Sequence, residues 1–285
     1  MNKIALSYDK KYLELHRPRP LSDEWLEQAQ MEILNGKIDK NISDTIYNEF
    51  KVLAKEWIFS SSLNRLTGIE SFSRKDIIIG CTQFIDSIYM RGAVQVLEND
   101  YRYHQRLNLA AFSFIGDLKP NVPLIISLPF AQVGSVHYQM DELLNEAITK
   151  KIPVHIDGAW ITCCRDVEFD FDHPAISSVG ISLSKGLGLG WNRIGLRWSK
   201  ETTQDAVNLM NDFDMNNRAS VMIGLHFLKR FPSDYLWKKY EKIYDKVCYD
   251  FRLEKTKSIH LALKDGSPVG VSPLIRYLIK NDCDL

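Results

Sequence analysis

Lys185 and Asp157 are the residues of this chain whose type and context best suit covalent chemistry. Lys185 follows the apolar run Ile176 to Leu183 and opens the stretch Lys185-Gly-Leu-Gly-Leu-Gly-Trp-Asn-Arg193. Asp157 ends a second apolar run, Val154-His-Ile-Asp157, and is followed by Gly-Ala-Trp160. A lysine amine held near neutrality attacks a carbonyl and forms an imine, a Schiff base. Gly186, Gly188 and Gly190 let the backbone turn tightly beside a ligand. Arg193, with its planar fork, suits a phosphate. Upstream, the turn Gly80-Cys81-Thr82-Gln83 leads into a helical stretch, so its amides and the Thr82 hydroxyl suit an anion. A dinucleotide loop is the rival reading of the glycines. G-x-G-x-G-W breaks the G-x-G-x-x-G pattern, however, and no acidic ribose partner follows.

Pyridoxal phosphate (PLP) is a cofactor that demands such a set. It needs a lysine, an acid for its pyridinium nitrogen, donors for its phosphate and a flat group to stack on its ring. Lys185 and Asp157 converge only if both sit at the carboxyl ends of strands in an open sheet. The hydrophobic pattern supplies such strands from residue 74 onward. Asp76–Gly80, Leu109–Ile115, Val122–Leu128, Val154–Asp157, Ile176–Leu183 and Ile194–Trp198 read as strands, most of them apolar on both faces. Phe84–Leu97 and Met140–Lys151 read as helices between them. Ahead of this region, Ser22 is the expected N-cap of a helix through Leu34 stopped by Gly36, and a second helix fits Ser43–Phe59. His16-Arg-Pro-Arg-Pro20 closes an extended arm. After Ser199 come helices over about 201–230 and 234–250, then strand-like runs at Ser258–Leu263 and Leu274–Ile279. The expectation is an α/β chain. A large domain with a mostly parallel mixed sheet flanked by helices (46–199) follows an N-terminal arm and helix (1–45) and precedes a reduced α+β small domain (200–285).

Composition narrows the class. Thirty-six basic and 36 acidic residues give zero formal net charge, which speaks against nucleic acid as a partner. Cys81, Cys163, Cys164, Cys248 and Cys283 form no CxxC spacing, so neither a disulfide framework nor a zinc site is expected. The remaining histidines show no metal-ligand spacing, and no metal is expected. No apolar run approaches the roughly 18 residues of a membrane span, and the N-terminus lacks a signal-like apolar segment. A cytoplasmic protein is expected, with no membrane partner.

With these residues in view, the chain resembles the fold-type-I PLP-dependent enzymes, in particular the class I/II aminotransferases. The resemblance runs in order over about residues 76–200. Ser182-Leu-Ser-Lys-Gly-Leu-Gly-Leu-Gly-Trp-Asn-Arg-Ile-Gly195 is similar to that family's cofactor-lysine signature. It implies that Lys185 forms the Schiff base and that Ser182 and Arg193 bind the phosphate. Asp157-Gly-Ala-Trp160 resembles the element whose aspartate meets the pyridine nitrogen and whose aromatic meets the phenolic oxygen. Gly80-Cys81-Thr82 resembles the phosphate-cup turn. Asn99-Asp-Tyr101-Arg-Tyr-His104 resembles the segment that stacks on the ring, which implies Tyr101, with Tyr103 as its rival. Two departures stand out. Ser127-Leu-Pro-Phe-Ala-Gln-Val-Gly134 fits the family's S-N-P-x-N-P-T-G loop, yet Ala131 falls where an asparagine is usual. Trp160 stands where a tyrosine is usual, and an indole donates but cannot accept.

The resemblance implies an aminotransferase acting on an amino acid and a 2-oxo acid, in a homodimer with a shared active site. Arg276, in Ser272-Pro-Leu-Ile-Arg-Tyr-Leu, and His104 are its substrate-side candidates, with Arg17 and Arg19 as further carboxylate binders. Two alternatives stay open: a PLP-dependent lyase, racemase or decarboxylase, and a PLP-binding protein without turnover. The intact Lys185, Asp157 and Arg193 favour an enzyme.

Overall fold

The computed structural model describes residues 21, 23–36, 45–107, 109–189 and 192–281. The expected N-terminal arm with Arg17 and Arg19, the Ser22 cap, Ser43, Gly190 and Cys283 lie outside the described residues. Among the described residues no helix is long and apolar enough to cross a membrane. No group of three or more His, Cys, Asp or Glu among them could hold a metal ion.

A seven-stranded sheet is the frame. Its strands are β2 (Arg74–Ile78), β3 (Val94–Leu97), β4 (Ala110–Ser113), β5 (Leu124–Ser127), β6 (Val154–Gly158), β8 (Ile176–Ser182) and β9 (Gly195–Ser199). Their spatial order is β2-β9-β8-β6-β5-β3-β4. Pairs from β4 through β8 are parallel, whereas β9 runs antiparallel to both β8 and β2. Strands β3, β5, β6 and β9 are buried at every residue, as a sheet covered on both faces requires. A short strand β1 (Arg65–Thr67) pairs with β7 (Glu168–Asp170) outside this sheet. The chain passes from β3 outward to β4 and returns to β5 on the other side of β3. Such a reversal of strand order opens a crevice at the carboxyl ends, and Asp157, Ser127 and Ser182 all stand at that end.

Helices cover the sheet. Two of them, α3 (Cys81–Tyr89) and α5 (Met140–Thr149), belong to the sheet domain. α3 packs so closely that a Cβ on Gly180 of β8 would lie 2.5 Å from the Phe84 ring. The N-terminal helices α1 (Glu24–Leu34) and α2 (Ile46–Phe59) join α7 (Arg218–Arg230), and Phe50 of α2 meets α7 at Gly224. The cap of α1 is Asp23, which accepts from the Leu26 amide at 2.9 Å. Asp23 is buried and also accepts from Lys239 Nζ at 2.7 Å and from the Tyr240 hydroxyl. That cluster ties α1 to α8 (Tyr235–Phe251). On the sheet's far side Arg197 of β9 donates to Asp76 of β2 at 2.7 Å, with both side chains 1% exposed. The C-terminal part adds a three-stranded antiparallel sheet, β10 (Glu254–Lys255), β11 (Leu261–Lys264) and β12 (Ser267–Gly270), and helix α9 (Ser272–Asn281).

Several element expectations need correction. The expected helix Phe84–Leu97 ends at Tyr89, and its last four residues are strand β3. Gly92, at φ +131°, breaks the helix, and Val94-Gln-Val-Leu97 then fills the sheet interior. The expected helix over 201–230 is two, α6 (Ala206–Asp212) and α7, separated where Asp214 turns left-handed at φ +51°. The run Leu274–Ile279 is helix rather than strand: buried Leu274 and Ile275 and half-buried Leu278 and Ile279 form one stripe of α9 against the core. Short apolar runs do not separate these alternatives by periodicity. The strand expected at Ser258–Leu263 begins only at Leu261, after a turn that bridges Ser258 to Cys164.

Candidate active site

The crevice holds a cavity of about 650 Å³. Asp157, Lys185, Trp160, Cys81, Thr82, Tyr101, Ser182 and Arg193 all line it. The strand register explains the convergence. Asp157 pairs with Ser127 on one side and Gly180 on the other, and Lys185 follows β8 by three residues.

Asp157 is buried, and its Oδ1 accepts from the Ala159 amide at 3.0 Å. Burial pushes its carboxyl up to about 6, against the lowering effect of the Cys81 thiol and the Ala159 amide. Among the described residues no lysine or arginine makes a salt bridge to it. Lys185 is held down by burial first and by Arg193 in addition, while Cys163 and Asp157 oppose that shift. A depressed amine pKa is the condition under which a lysine acts as nucleophile and proton carrier. Its Nζ lies 4.8 Å from the centre of the Trp160 ring, a cation–π distance. Trp160 also meets His260 edge to face, with ring centres 5.2 Å apart.

One end of the cavity is built around the turn at Gly80. This residue has φ +97°, and a Cβ there would lie 2.7 Å from Arg193 Nη2. Glycine is thus required twice, for backbone geometry and for the guanidinium pressed against it. Arg193 is oriented by its Nε, which donates to the Ile79 carbonyl at 3.3 Å. Helix α3 begins one residue later, which adds its positive N-terminal end and the half-buried Thr82 hydroxyl. The Cys81 thiol is buried and donates to the Gly180 carbonyl at 3.3 Å. Burial and the neighbouring Asp157 hold it well above the usual thiol range, so it is an inert neighbour rather than a nucleophile. Ser182 Oγ accepts from the Ser184 amide at 3.2 Å and fixes the turn before Lys185. The Ser184 hydroxyl is buried in the cavity wall without a partner. Gly186 lets this turn rest on Thr162, whose Oγ1 would be 2.6 Å from a Cβ there.

PLP fits this donor set. A desolvated amine, a buried carboxylate, an orphaned hydroxyl and an oriented guanidinium beside a helix N-terminus match its carbonyl, ring nitrogen and phosphate. Two expected residues are not in the cavity wall. His104 is the buried residue of helix α4 (Arg102–Leu107), with Nδ1 2.8 Å from the Tyr89 hydroxyl, and burial lowers its pKa to about 4. Arg276 lies on α9 instead of a strand and does not line the cavity. Tyr101 and Tyr103 both line it, their rings stacked 5.9 Å apart. The Tyr103 hydroxyl donates to Asp86 at 2.7 Å.

Asp100 escaped the sequence reading. It is buried in the same wall and accepts from the amides of Tyr101 at 2.7 Å and Ser127 at 2.9 Å. It thereby joins the ends of β3 and β5 and fixes the aromatic segment. Its only trace in sequence is its place between Asn99, at φ +64°, and Tyr101. Arg102, Arg106, Gly266 of the β11–β12 turn and the first two residues of β12, Ser267 and Pro268, also line the cavity, and no motif marked them.

No family model matches the chain, and no curated protein matches it in sequence. Solved structures do match in fold. The Escherichia coli protein identified with a methionine aminotransferase function superposes with a TM-score of 0.61 at 12% identity, over 98% of this chain and 85% of its own. Tyrosine aminotransferase from Leishmania infantum gives 0.59 at 10% identity, over 92% and 90%. A PLP-bound putative aminotransferase from Clostridium difficile gives 0.56 at 13% identity, over 90% and 79%. The chain has the fold of the type I, class I/II aminotransferases. At these identities the likeness is one of fold.

Proposed function

We propose that this chain is a PLP-dependent aminotransferase that transfers an amino group between an amino acid and a 2-oxo acid. The observation that carries the reading is the meeting of Asp157 and Lys185 in one cavity, a carboxyl pushed up and an amine pushed down by the same burial. Fold neighbours described as aminotransferases, one of them PLP-bound, support it. When bound, the cofactor supplies a carbonyl for Lys185 and a ring that takes up the electron pair left by a departing proton.

The chain's own residues do the rest. Arg193, Thr82, the Ser182–Ser184 turn and the first amides of α3 hold the phosphate. Asp157, ionised once a ring N–H donates to it, keeps that nitrogen protonated. Tyr101 covers one ring face. Lys185 Nζ, once freed, carries a proton between the substrate's Cα and the neighbouring carbon as base and then acid. Trp160 shields that amine from water. A homodimer completing the site and a cytoplasmic location belong to the same proposal, and light scattering of the purified protein tests the first.

The test is spectroscopic. Purified protein is expected to bind added PLP with a visible band, and borohydride is expected to fix the cofactor's mass on the Lys185 peptide. Lys185→Ala abolishes the fixation. A protein that ignores PLP sinks the proposal. One observation keeps a second reading in view: Ala131 and Trp160 both line the cavity and neither can accept a hydrogen bond through its side chain. A lyase, racemase or decarboxylase would release its product without returning one 2-oxo acid per site in a single half-reaction, whereas an aminotransferase returns one.

A further inference from the structure

Helix α4 forms part of the cavity wall, and its two sides differ. Tyr103, Gln105, Arg102 and Arg106 line the cavity, whereas His104 is turned into the core and held there by the Tyr89 hydroxyl. Arg102 and Arg106 are four apart, which places both guanidinium stems on one side of the helix. Five other arginines, Arg74, Arg91, Arg165, Arg197 and Arg230, each meet a carboxylate. Arg102 and Arg106 form no such pair among the described residues. The cavity's acidic lining residues are Asp100 and Asp157, both buried and both engaged with backbone amides. Two like charges at this spacing repel, and an anion held between them would relieve that repulsion. Arg193 is committed to the far end beside Gly80, and Arg276 lies off the cavity on α9.

We infer that Arg102 and Arg106 anchor the substrate's carboxylate, in the place where the family resemblance pointed to Arg276. This rests on the proposed function and adds the residues that select an acid as substrate. The guanidinium fork meets a carboxylate with two parallel hydrogen bonds. The segment Gly266–Pro268, lining the same cavity, bounds the space left for the rest of the substrate.

The experiment is a calorimetric titration of the full chain with succinate as the carboxylate probe, in the presence of saturating PLP. Run again in inorganic phosphate, it leaves the Arg193 end occupied whether or not PLP binds. Loss of both guanidiniums in Arg102→Gln/Arg106→Gln is expected to weaken succinate at least tenfold, with the PLP band and thermal midpoint unchanged. Arg102→Lys/Arg106→Lys, which keeps the charge and loses the fork, is expected to fall between. Arg276→Gln is expected to leave succinate affinity within twofold. Unchanged affinity in the Gln double variant, loss in Arg276→Gln alone, or no succinate binding by the wild type would each overturn the inference. Failure of the PLP band in the wild type, with succinate still responding to Arg102 and Arg106, would sink the proposed function and leave this anchor standing.

Discussion

Replacing Asp157 by Asn removes a charge that the fold holds at a cost. Each tenfold displacement of a protonation equilibrium is worth ~1.4 kcal/mol. A carboxyl moved from its ordinary 3.8 to about 6 therefore loads ~3 kcal/mol onto the folded, cofactor-free state at neutral pH. The sign follows from the direction of the shift. With the folded pKa above the unfolded one, the burden is absent below about pH 3.8, grows between there and about 6, and is complete above. Asn keeps the shape and still accepts from the Ala159 amide, so Asp157→Asn is expected to stabilise the cofactor-free protein. Urea unfolding should show a gain approaching ~3 kcal/mol at pH 7.5, falling to ~1 kcal/mol at pH 4.5. With saturating PLP the order reverses, because only the aspartate can pair as an anion with a protonated ring nitrogen. A variant less stable than wild type without cofactor, or a difference independent of pH, would refute the argument that burial sets this carboxyl.

Gly80→Ala places a methyl 2.7 Å from Arg193 Nη2 at a φ of +97°. Backbone strain of ~1–2 kcal/mol and the displaced guanidinium should lower the melting temperature slightly and weaken PLP at least tenfold, read by titrating the visible band. Asp76→Ala leaves Arg197 buried with Asp205 at 2.7 Å as its remaining carboxylate. A loss of ~3–5 kcal/mol in denaturant unfolding is expected, with PLP binding per folded molecule unchanged, since this pair lies away from the cavity.

The legible part of this protein was the set of residues that meets at the cavity. Lys185, Arg193, Asp157 and the Gly80–Thr82 turn carry spacings that chemistry demands, and they line one cavity. The sheet was legible at Val154–Asp157 and Ile176–Ser182, short runs that prove buried at nearly every residue. It was not legible at Val94–Leu97, which continues the apolar pattern of the preceding helix and is separated from it only by the turn at Gly92. Nor was it legible at Leu274–Ile279, where four apolar residues serve a strand and a buried helical stripe equally.

The sequence by itself determined which residues could anchor a cofactor, because an amine, a carboxylate and a glycine-bound turn have few substitutes for that task. Only the tertiary structure decided which other groups face them. Asp100 became a member of the site because β3 and β5 end side by side, although 27 residues separate it from Ser127. Arg102 and Arg106 entered the cavity wall, and Arg276 left it, because of how α4 and α9 are seated. A side chain's type is local information. Its neighbours, its burial and the pKa that follows are set by packing between segments far apart in the chain, and no spacing within one segment encodes them.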